Sequence, residues 1–548
     1  MLRFIALSGT TSVTENLYVY EADGKMLIID CGVGFPDLEM PGVELVIPDF
    51  NYIVKNKEKV VGIVVSQGHE DHIGALPFLL REIDTPVWAT PLVSEFLKDK
   101  FQEYDLRKFI INTFDAEKGD FNVGPFKIHP FRVTHSVPDT VGFAIDTPEG
   151  RIFHVPEHKM DQNPIDGMAF DTNRAKWLAN EKRVLFLASD CLGANKPGFT
   201  KSETEIEDKM LKIIQGAKQA VFATAISSNI GRFQQMIRVA EKVNRKVVFV
   251  GRSIQKKIEV AHKLGYINYP EDLVVSYKQL RKLQRNKVMY IISGCYGQVG
   301  SSLYRVSLGE HDNVQIEAQD TVLFSADPAP PYTKESEDFI IDELFDKDVD
   351  VHYYDHNEGL YVSGHGSQQD ILELFNIAKP KYFIPIGGTI RFMHAYKRIA
   401  VESGVNPGNV FLLKPGENIV FENGNASLGQ AIPVKRILVH GLGIGDIGKV
   451  VLGERSILGT EGVVVVVIKV NRNSQLVGTP KVISKGFVFE KLSKEMLLRA
   501  ENKLKDQIVK GGKVNSQKIE KITSEYLEKY FYTKIKRTPM IVPVVVEV

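Results

Sequence analysis

The sequence predicts an α/β fold followed by a smaller α+β unit, and three features of the chain support this. Val60–Val65 is a continuous apolar run that ends in a polar cluster, and a helical pattern follows over Ala75–Glu82. From about Thr204, helical patterns alternate with short apolar runs, which is typical of a parallel α/β unit. From about Val463 onward, a long apolar run and a further helical pattern indicate a separate α+β unit.

Length and composition are those of a globular protein with several domains. The 548 residues include 68 Lys+Arg and 68 Asp+Glu, so the formal net charge is +0. At roughly 100–200 residues per domain, this length implies about three domains. A hydrophobic share of 43% and a charged share of 25% exclude a disordered chain, a fibrous repeat and a disulfide scaffold. The neutral balance also excludes polyanion binding that depends on net charge alone.

Cysteine usage and apolar runs bear on where the protein works. Cys31, Cys191 and Cys295 are few, far apart and odd in number, which suits a reducing cytosol. The N-terminal residues lack the pattern of a signal peptide. The longest apolar run, near Val463 to Val470, is too short to span a bilayer. We therefore expect a cytoplasmic protein that does not bind membranes.

The N-terminal part of the chain alternates strands with turns. Leu17–Glu21 and Met26–Ile29 are predicted strands, and Asp23-Gly24 between them is a hairpin signal. The buried strand Val60–Val65 ends in Ser66–His72, and α/β proteins commonly build sites past the carboxyl end of such a strand. Further strands are predicted at Phe126–Val133, Val141–Ile145 and Val184–Ala188.

The middle of the chain carries the parallel α/β pattern. Its predicted helices are Ile206–Gln219, Arg232–Asn244 and Ser253–Leu264, and its predicted strands are Ala220–Ala223, Lys246–Val250 and Val288–Ile292. Near Tyr361 we expect the chain to return to a strand, a polar turn and a helix, followed by the strand Tyr382–Ile386.

The C-terminal part begins with a glycine-rich stretch from Val439 to Gly462, which we interpret as a linker. Beyond it, one predicted helix places four apolar residues on a single face and ends at Gly511-Gly512. Those four residues are Met496, Ala500, Leu504 and Ile508.

His69, Asp71 and His72 form a cluster with the chemistry of a metal site. They lie within four residues, so on a loop several of their ligand atoms can turn toward one cation. A mixture of imidazole and carboxylate suits zinc or manganese. The alternative is a polar turn in which Asp71 caps the helix that follows.

Several separated motifs, in order along the chain, carry a resemblance to a known family. They are Asp30–Gly32, Phe35–Asp37, Ile47–Asp49, Ser66–Gly74, Thr134–Asp139, Ser189–Cys191, Ser227–Ile230, Phe249–Ser253, Val362–Gln368, Lys485–Phe487 and Arg537–Ile541. With these motifs the chain resembles the metallo-β-lactamase superfamily and, within it, bacterial ribonuclease J, a β-CASP nuclease. The match covers essentially the whole chain.

The resemblance implies an α/β fold of a particular kind. This is an αββα metallo-β-lactamase sandwich with an inserted β-CASP α/β domain and a small C-terminal α+β domain. The metallo-β-lactamase domain would comprise residues 1–203 and 351–430, and the β-CASP domain residues 204–350. Residues 431–462 would form a linker, and residues 463–548 the C-terminal domain.

The family hydrolyses RNA phosphodiesters at a two-metal centre, and its ligand positions are only partly matched here. The first metal's ligands fall on Gln67, His69, His135 and Glu157, and the second metal's on Asp71, His72, Glu157 and Gly387. The family has His at positions 67 and 387 and Asp at position 157. An amide oxygen is a poor zinc ligand, and glycine has no ligand atom. We therefore expect one or two zinc or manganese ions at reduced or lost occupancy.

The resemblance also implies a substrate-binding turn that holds the scissile phosphate. Its residues are Tyr361, Val362, Ser363, Gly364 and His365. Catalytic roles fall on His365, Asp71 and Asp190, with Asp190 supporting the metal site through hydrogen bonds. The alternatives are that His365 caps the following helix and that Asp190 is an ordinary turn residue.

RNA binding needs grouped basic residues even where the net charge is zero. A dense run in the inserted domain comprises Lys278, Arg281, Lys282, Arg285 and Lys287, and Arg252, Lys256 and Lys257 add to it. The alternative is a solvated helix face. Tyr296, Tyr304 and Phe392 have rings that could stack on bases, although core packing is the favoured interpretation of each.

Three hypotheses for the function remain. The first is a ribonuclease J family protein of RNA processing and decay that binds 5′-monophosphorylated single-stranded RNA at a degenerate two-metal site, with weak or absent hydrolysis. The second is an active exo- and endoribonuclease with a metal centre rebuilt around Glu157. The third is a non-catalytic partner subunit of an active paralogue.

The resemblance implies self-association as well. Family members form homodimers or higher oligomers, some of them with a paralogue, and the C-terminal domain mediates the contact. The apolar tail Met540–Val548 suits such pairing. The alternative is that the tail is a strand within its own domain.

Overall fold

The computed structural model of the chain divides into two compact units. It describes residues 1–37, 39–327, 333–353, 359–441, 443–488, 490–510 and 515–548, apart from the side chains of residues 490–492. The first unit comprises Met1–Phe35 and Val46–Ile437, and the second comprises Pro36–Leu45 and Leu438–Val548. Each unit has a hydrophobic core of its own.

Two sheets face each other in the first unit, with strands numbered here in chain order. The first sheet contains, in spatial order, β20 (Asn425–Leu428), β19 (Asn418–Glu422), β1 (Leu2–Ser8), β2 (Leu17–Ala22), β3 (Lys25–Ile29), β5 (Val60–Val64), β6 (Val87–Ala89) and β7 (Ile111–Thr113). The second contains β18 (Tyr382–Ile386), β12 (Val184–Asp190), β11 (Gly150–Val155), β10 (Val141–Thr147), β9 (Phe126–Arg132) and β8 (Phe121–Val123).

The first hairpin shows how local sequence determines a turn. β2 and β3 pair antiparallel with Ala22 opposite Lys25, so Asp23 and Gly24 form a two-residue loop. Their φ angles are 51° and 70°, the left-handed values that a type I′ turn requires at both positions. The predicted hairpin is therefore confirmed.

Aromatic side chains from both sheets fill the space between them. Phe186 of the second sheet lies 5.6 Å from Phe4 and 6.3 Å from Tyr20 of the first, measured between ring centroids. It also stacks on Phe421 at 4.8 Å, and all four rings are fully buried. Burying a side chain of this size stabilises the fold by about 1.5–3 kcal/mol. This layer is the main core of the first unit.

Helices cover the outer faces of the two sheets. α5 (Thr172–Glu181), α12 (Gln368–Ala378) and α13 (Ile390–Glu402) pack on the second sheet. α4 (Pro91–Glu103) packs against β6 and β7 of the first sheet. Shorter helices in the same segment are α1 (Asn51–Lys55), α2 (Glu70–Ile73) and α3 (Leu76–Glu82). The order of layers is helix, sheet, sheet, helix, which confirms the αββα sandwich.

A third, wholly parallel sheet forms the inserted α/β domain. Its strands, in spatial order, are β14 (Lys246–Val250), β15 (Val288–Ile292), β13 (Val221–Thr224), β16 (Thr321–Phe324) and β17 (Asp350–His352). Its helices are α6 (Glu205–Gly216), α7 (Ile230–Lys242), α8 (Arg252–Lys263), α9 (Tyr277–Leu280), α10 (Ser302–Ser307) and α11 (Lys334–Asp346).

The second unit is built on a small sheet with two helices on one face. In spatial order its strands are β24 (Lys481–Lys485), β23 (Val463–Val470) and β25 (Met540–Glu547). The helices are α15 (Glu490–Lys510) and α16 (Ser516–Ile535). Ala500, Leu504 and Ile508 are buried in this core and Met496 packs against it, so the predicted helical face is confirmed. The predicted stop at Gly511-Gly512 lies outside the described residues.

The C-terminal tail is a strand within its own domain. β25 pairs in parallel with β23 along its length, from Met540 opposite Val463 to Glu547 opposite Val470. The intradomain alternative for the tail is therefore confirmed.

The strand expected near Tyr361 is not formed. Residues 359–366 have no strand partner; their backbone groups bond elsewhere. The carbonyl oxygen of Leu360 accepts hydrogen bonds from the side chains of Arg232 and Ser325, and the Gly366 N–H donates to His158. Side-chain donors of the inserted domain, Arg232 and Ser325, therefore take the place of the strand-to-strand hydrogen bonds that the sequence pattern predicts.

The glycine-rich stretch interpreted as a linker contains regular structure. It includes the end of the short strand β21 (Ile437–His440), the strand β22 (Gly443–Ile444) and the helix α14 (Lys449–Thr460). Elsewhere in the described part of the chain, the strand β4 is Leu45–Ile47. Gly453 and Gly459 lie inside the helix, although each costs about 1 kcal/mol relative to alanine there. None of the helices in the described part of the chain is long and apolar enough to cross a membrane.

Candidate metal centre

The candidate site lies where strands of both sheets end. β5 leads into the cluster at Ser66–His72, β11 leads into Glu157, β12 ends at Asp190 and β18 leads into Gly387. Since β11, β12 and β18 are mutually parallel, the residues after their carboxyl ends meet at one edge. This is the kind of edge at which α/β proteins build sites.

Two groups of possible ligand atoms meet at this edge and share one carboxylate. His69, His135 and Glu157 form the first group, and Asp71, His72 and Glu157 form the second. Within each group the ligand atoms lie within 4.8 Å of one another. The Nε2 atoms of His135 and His72 lie 2.8 Å and 3.1 Å from Glu157 carboxylate oxygens. The fold thus brings these side chains together from three separate segments.

Two of the histidines are held through their Nδ1 atoms. His72 Nδ1 donates to the Asp30 carboxylate at 2.8 Å, and His135 Nδ1 donates to the Gly364 carbonyl oxygen at 2.9 Å. Because these oxygens only accept, both Nδ1 atoms carry a proton, and Nε2 is the atom that each ring would offer to a cation. Support of this kind fixes the tautomer and the ring orientation of a metal-binding histidine.

Sequence reasoning assigned no site role to Asp30 and Asn16, which orient the second group. Besides His72, Asp30 accepts from the Ser66 backbone N–H at 2.8 Å. Asn16 Nδ2 donates to the Asp71 carboxylate at 3.2 Å, and the Tyr18 hydroxyl donates to Asn16 Oδ1 at 2.8 Å. A charged residue directly after the apolar strand β3 was a usable signal for Asp30. No local sequence pattern indicates a site role for Asn16, because its partner Asp71 lies 55 residues further along the chain.

Gln67 occupies a ligand position and is fully buried. Its Nε2 donates to Oε2 of Glu157, and its Oε1 has no hydrogen-bond partner in the described part of the chain. Leaving a buried acceptor unpaired costs about 1–3 kcal/mol. A cation would satisfy such an oxygen.

The donor set fits one or two divalent cations. Imidazole nitrogens and carboxylates are ligand types that zinc and manganese accept, and the unpaired Gln67 oxygen suits manganese better than zinc. The first cation would be held by Gln67, His69, His135 and Glu157, and the second by Asp71, His72 and Glu157.

Position 387 offers no ligand atom to the second group. Gly387 has φ 67°, a left-handed value that favours glycine. A Cβ atom there would lie 3.6 Å from the Pro156 carbonyl oxygen and 3.7 Å from Asp190 Oδ1. Space for a side chain therefore exists beside the site, although the backbone conformation opposes one.

Burial and neighbouring charges set the protonation of the ligands. Burial lowers the pKa of His69 to about 4, so this imidazole is neutral near pH 7. Burial raises the pKa of Asp71 to about 6. Burial also opposes ionisation of Glu157, but His135 and then His72 hold the pKa of its carboxyl well below the ordinary value. Neutral imidazole and ionised carboxylate are the forms that bind a cation.

The predicted substrate turn packs directly against the first group. A Cβ atom on Gly364 would lie 2.8 Å from His135 Cε1, so glycine is required at this close approach. Val362 is buried, and Ser363 Oγ accepts from the His365 backbone N–H at 3.1 Å. Tyr361, which begins the turn, is partly buried.

His365 faces the ligands and does not cap α12. Its Nδ1 donates to Asp190 at 2.7 Å, and its ring centroid lies 5.3 Å from that of His135. Burial lowers the pKa of His365, but Asp190 and then Glu157 raise it to about 9, so the ring is positive near pH 7. The cap is Ser367, which forms a capping box with Asp370. The helix-cap alternative for His365 is wrong.

The alternatives for the two aspartates are also decided by the geometry. Asp71 makes no capping bond, because His69 is the N-cap residue of α2. Asp190 combines both expected features, since Oδ2 accepts from His365 while Oδ1 accepts from the Leu192 backbone N–H at 2.8 Å, as in an ordinary turn.

The residues expected along an RNA path fall into two groups. The first is exposed and consists of Arg252, Lys256, Lys278, Arg281, Lys282 and Lys287. The second has partners within the protein. Arg285 pairs with Asp320, the Tyr296 hydroxyl donates to Asp327, and Lys257 pairs with Glu70 at 3.9 Å. Phe392 is buried, and the Tyr304 ring lies 6.0 Å from that of Phe339. An RNA role for the exposed lysines and arginines stays a prediction.

Family models match three parts of the chain. A beta-lactamase superfamily domain matches residues 26–169, and the ribonuclease J beta-CASP domain matches residues 218–344. The ribonuclease J C-terminal domain matches residues 450–548.

Relatives match over the full length. Ribonuclease J2 of Bacillus subtilis (strain 168) is 32% identical over 564 residues, covering 100% of this chain and 99% of the relative. Ribonuclease J 2 of Staphylococcus aureus (strain MRSA252) is 31% identical over 554 residues, covering 100% and 98%. A crystal structure of a protein of unknown function from Enterococcus faecalis V583 has a similar fold, with a TM-score of 0.54 at 14% identity, covering 77% of this chain and 100% of that one. Taken with the αββα sandwich and its inserted domain, these matches show that the chain belongs to the ribonuclease J family of RNA-processing nucleases.

Proposed function

We propose that this protein binds 5′-monophosphorylated single-stranded RNA at a degenerate two-metal site and hydrolyses it weakly or not at all. The observation that carries the proposal is the contact between Gln67 and Glu157. Glu157 is the carboxylate shared by both ligand groups, and its Oε2 accepts a hydrogen bond from the Gln67 amide. An amide N–H directed at this carboxylate competes with a cation for the same lone pairs.

The remaining ligands hold cations less well than a full set does. Three side chains at each site still suffice for zinc or manganese. Bound divalent cations stabilise the negative charge that develops on a phosphodiester during hydrolysis. With Gln67 a weak ligand and Gly387 none, we expect the reacting groups to be held less accurately, and a misplacement near 1 Å costs about a hundredfold in rate.

The substrate turn supplies the RNA-binding function of the site. His365 is positive near neutral pH and its Nδ1 is engaged by Asp190, which leaves its Nε2–H to donate to a phosphate oxygen. Such charge-assisted hydrogen bonds are the stronger kind. Tyr361–Gly364 place the backbone of the turn against His135 and so beside the ligands. Phosphate binding thus survives where metal binding is weakened.

We further propose that the protein forms a homodimer or higher oligomer in the cytoplasm and that it also assembles with an active paralogue. The relatives named ribonuclease J2 or ribonuclease J 2 support this, because the number distinguishes them from another ribonuclease J. Three free, buried cysteines suit a reducing compartment. In such a pair this chain would be the weaker nuclease.

The test combines metal content, RNA binding and cleavage in one preparation. The purified protein is assayed for bound metal and then incubated with 5′-monophosphorylated single-stranded RNA and zinc, manganese or magnesium. We expect RNA binding with little cleavage, and loss of any residual cleavage in His72→Ala. The matched control is His394→Ala, which removes an exposed histidine of α13.

Two other results would favour the alternatives. Efficient metal-dependent cleavage that is lost in His72→Ala would contradict weak hydrolysis and indicate a rebuilt centre. Absence of RNA binding would leave the partner-subunit hypothesis. That role should survive His69→Ala and His72→Ala but not removal of the C-terminal domain.

A further inference from the structure

Arg232, at the start of α7 in the inserted domain, is fully buried and directs its guanidinium at the connections between the domains. Nη1 donates to the carbonyl oxygens of Leu360 and Ser325 at 3.0 Å and 3.1 Å, and also to Ser325 Oγ. Nη2 pairs with the Glu203 carboxylate. Nε donates to Gln235 at 3.0 Å. No part of this charge is left to solvent.

Two of these partners, Glu203 and Leu360, lie at the points where the chain passes between the domains. Glu203 lies just before α6, where the chain enters the inserted domain. Leu360 lies beyond β17, where the chain has left it, and is followed directly by Tyr361–His365. One guanidinium therefore holds the entry and the exit together.

The same network reaches the ligand segment from its other side. Lys159 is fully buried, with Nζ 3.6 Å from Glu203 and 3.5 Å from Asp161. Lys159 lies two residues after Glu157. Between them, the backbone carbonyl oxygen of His158 accepts a hydrogen bond from the Gly366 N–H at 2.7 Å. The ends of the substrate turn are thus tied to Arg232 at Leu360 and to the ligand segment at Gly366.

We infer that Arg232 is a positioning residue that fixes the substrate turn for 5′-phosphate binding from within the inserted domain. The inference rests on the phosphate role proposed above for that turn. Arg232 acts through the Leu360 carbonyl oxygen, and Ser325 adds a second bond to the same atom at 2.6 Å. Without these donors the turn has no strand partner to hold it, because residues 359–366 join none of the sheets.

The experiment compares Arg232→Met with Arg245→Met in the full-length protein. Arg245 is a matched control, since it is also buried in the inserted domain and donates to the backbone of Gln219, Val288 and Ala217. Both variants lose buried hydrogen bonds and should melt at a lower temperature. One readout is the Kd ratio, defined as the Kd for 5′-hydroxyl RNA divided by the Kd for 5′-monophosphorylated RNA. The other is the amide hydrogen exchange of residues 359–366.

We expect Arg232→Met to lower the Kd ratio by about tenfold, which corresponds to the loss of roughly one hydrogen bond to a charged group. We also expect it to accelerate amide hydrogen exchange in residues 359–366. Arg245→Met should leave both unchanged. Equal exchange and equal ratios in the two variants would overturn the inference. If Arg232→Met does not fold, Ser325→Ala removes one donor to Leu360 and keeps the charge pair. Unchanged exchange in Ser325→Ala would then be decisive against it.

A third variant, His365→Ala, separates this inference from the proposed function. If His365→Ala lowers the Kd ratio and Arg232→Met does not, the phosphate role of the turn stands and only the role of Arg232 is wrong. If His365→Ala leaves the ratio unchanged, the turn does not bind the 5′-phosphate, and both ideas are overturned.

Discussion

At the level of single residues, the chemistry of the candidate centre converges on Glu157. Its two carboxylate oxygens contact Gln67, His72 and His135, and it is 4% exposed. A buried carboxylate needs compensating charges or donors, because desolvation of an ion is costly. Gln67 supplies one such donor permanently. The amide therefore keeps the carboxylate satisfied in the absence of a cation.

The first prediction concerns this amide. Gln67→His replaces a neutral donor with an imidazole that can ligate zinc, so we expect zinc affinity to increase by about 10–100-fold, the range seen when ligand surroundings are altered. Competition against a chelating dye measures the affinity.

Gln67→Asn is the control for this variant, because it keeps the amide but shortens the reach toward Glu157. It should not tighten zinc binding. Equal zinc affinity in Gln67→His and the parent protein would show that position 67 does not face the cation.

At the level of elements, the N-terminus of α12 joins three segments of the first unit. The buried carboxylate of Asp370 accepts from the backbone N–H groups of Met160 at 2.7 Å, Thr200 at 2.8 Å and Ser367 at 2.9 Å. Ser367 completes the capping box. This helix end therefore anchors the residues that follow the ligand segment and those that follow the substrate turn.

The second prediction concerns that cap. Ser367→Ala removes the side chain that caps α12, so we expect it to lower the free energy of unfolding by about 1 kcal/mol. Denaturant titration of the full-length protein measures the change. Ser253→Ala is the control, because Ser253 is exposed in the first turn of α8, and it should change stability by less than about 0.5 kcal/mol. Equal denaturant concentrations at the unfolding midpoints of the two variants would show that the cap does not stabilise the helix.

At the level of the whole molecule, the two units bury separate cores. The core of the second unit contains Val464, Val466 and Ile468 of β23, together with Leu504 and Leu527 of its helices. The aromatic layer of the first unit contains none of these residues. Separate cores predict separate responses to core substitutions.

The third prediction follows from this division. Leu504 is fully buried, so Leu504→Ala should destabilise the second unit by about 2–5 kcal/mol. Calorimetry should show one unfolding transition shifted to lower temperature and the other unchanged. Lys505→Ala, one position along on the exposed side of α15, should shift neither. A uniform shift of all transitions in Leu504→Ala would indicate that the chain unfolds as one cooperative body.

Local patterns predicted most elements of the molecule. The hairpin at Asp23-Gly24, the strand β5 and the amphipathic face of α15 depend on neighbours a few residues away, and all three formed as expected. The predictions failed where distant partners decided the outcome. Near Tyr361, hydrogen bonds from side chains take the place of the backbone hydrogen bonds of the predicted strand. Between Val439 and Gly462, a helix forms despite two internal glycines.

The identity of the possible ligands follows from the amino-acid sequence, because His69, Asp71 and His72 lie within four residues and the resemblance to the family indicates the other ligand positions. How these side chains meet depends on the folded chain. It placed Gln67 against Glu157, Asp30 behind His72 and Arg232 behind the substrate turn. Sequence separation explains this, because Gln67 and Glu157 are 90 positions apart and Arg232 and Leu360 are 128 positions apart. Hydrogen bonds across such distances exist only once the sheets have packed and closed these loops, so no local pattern can encode them.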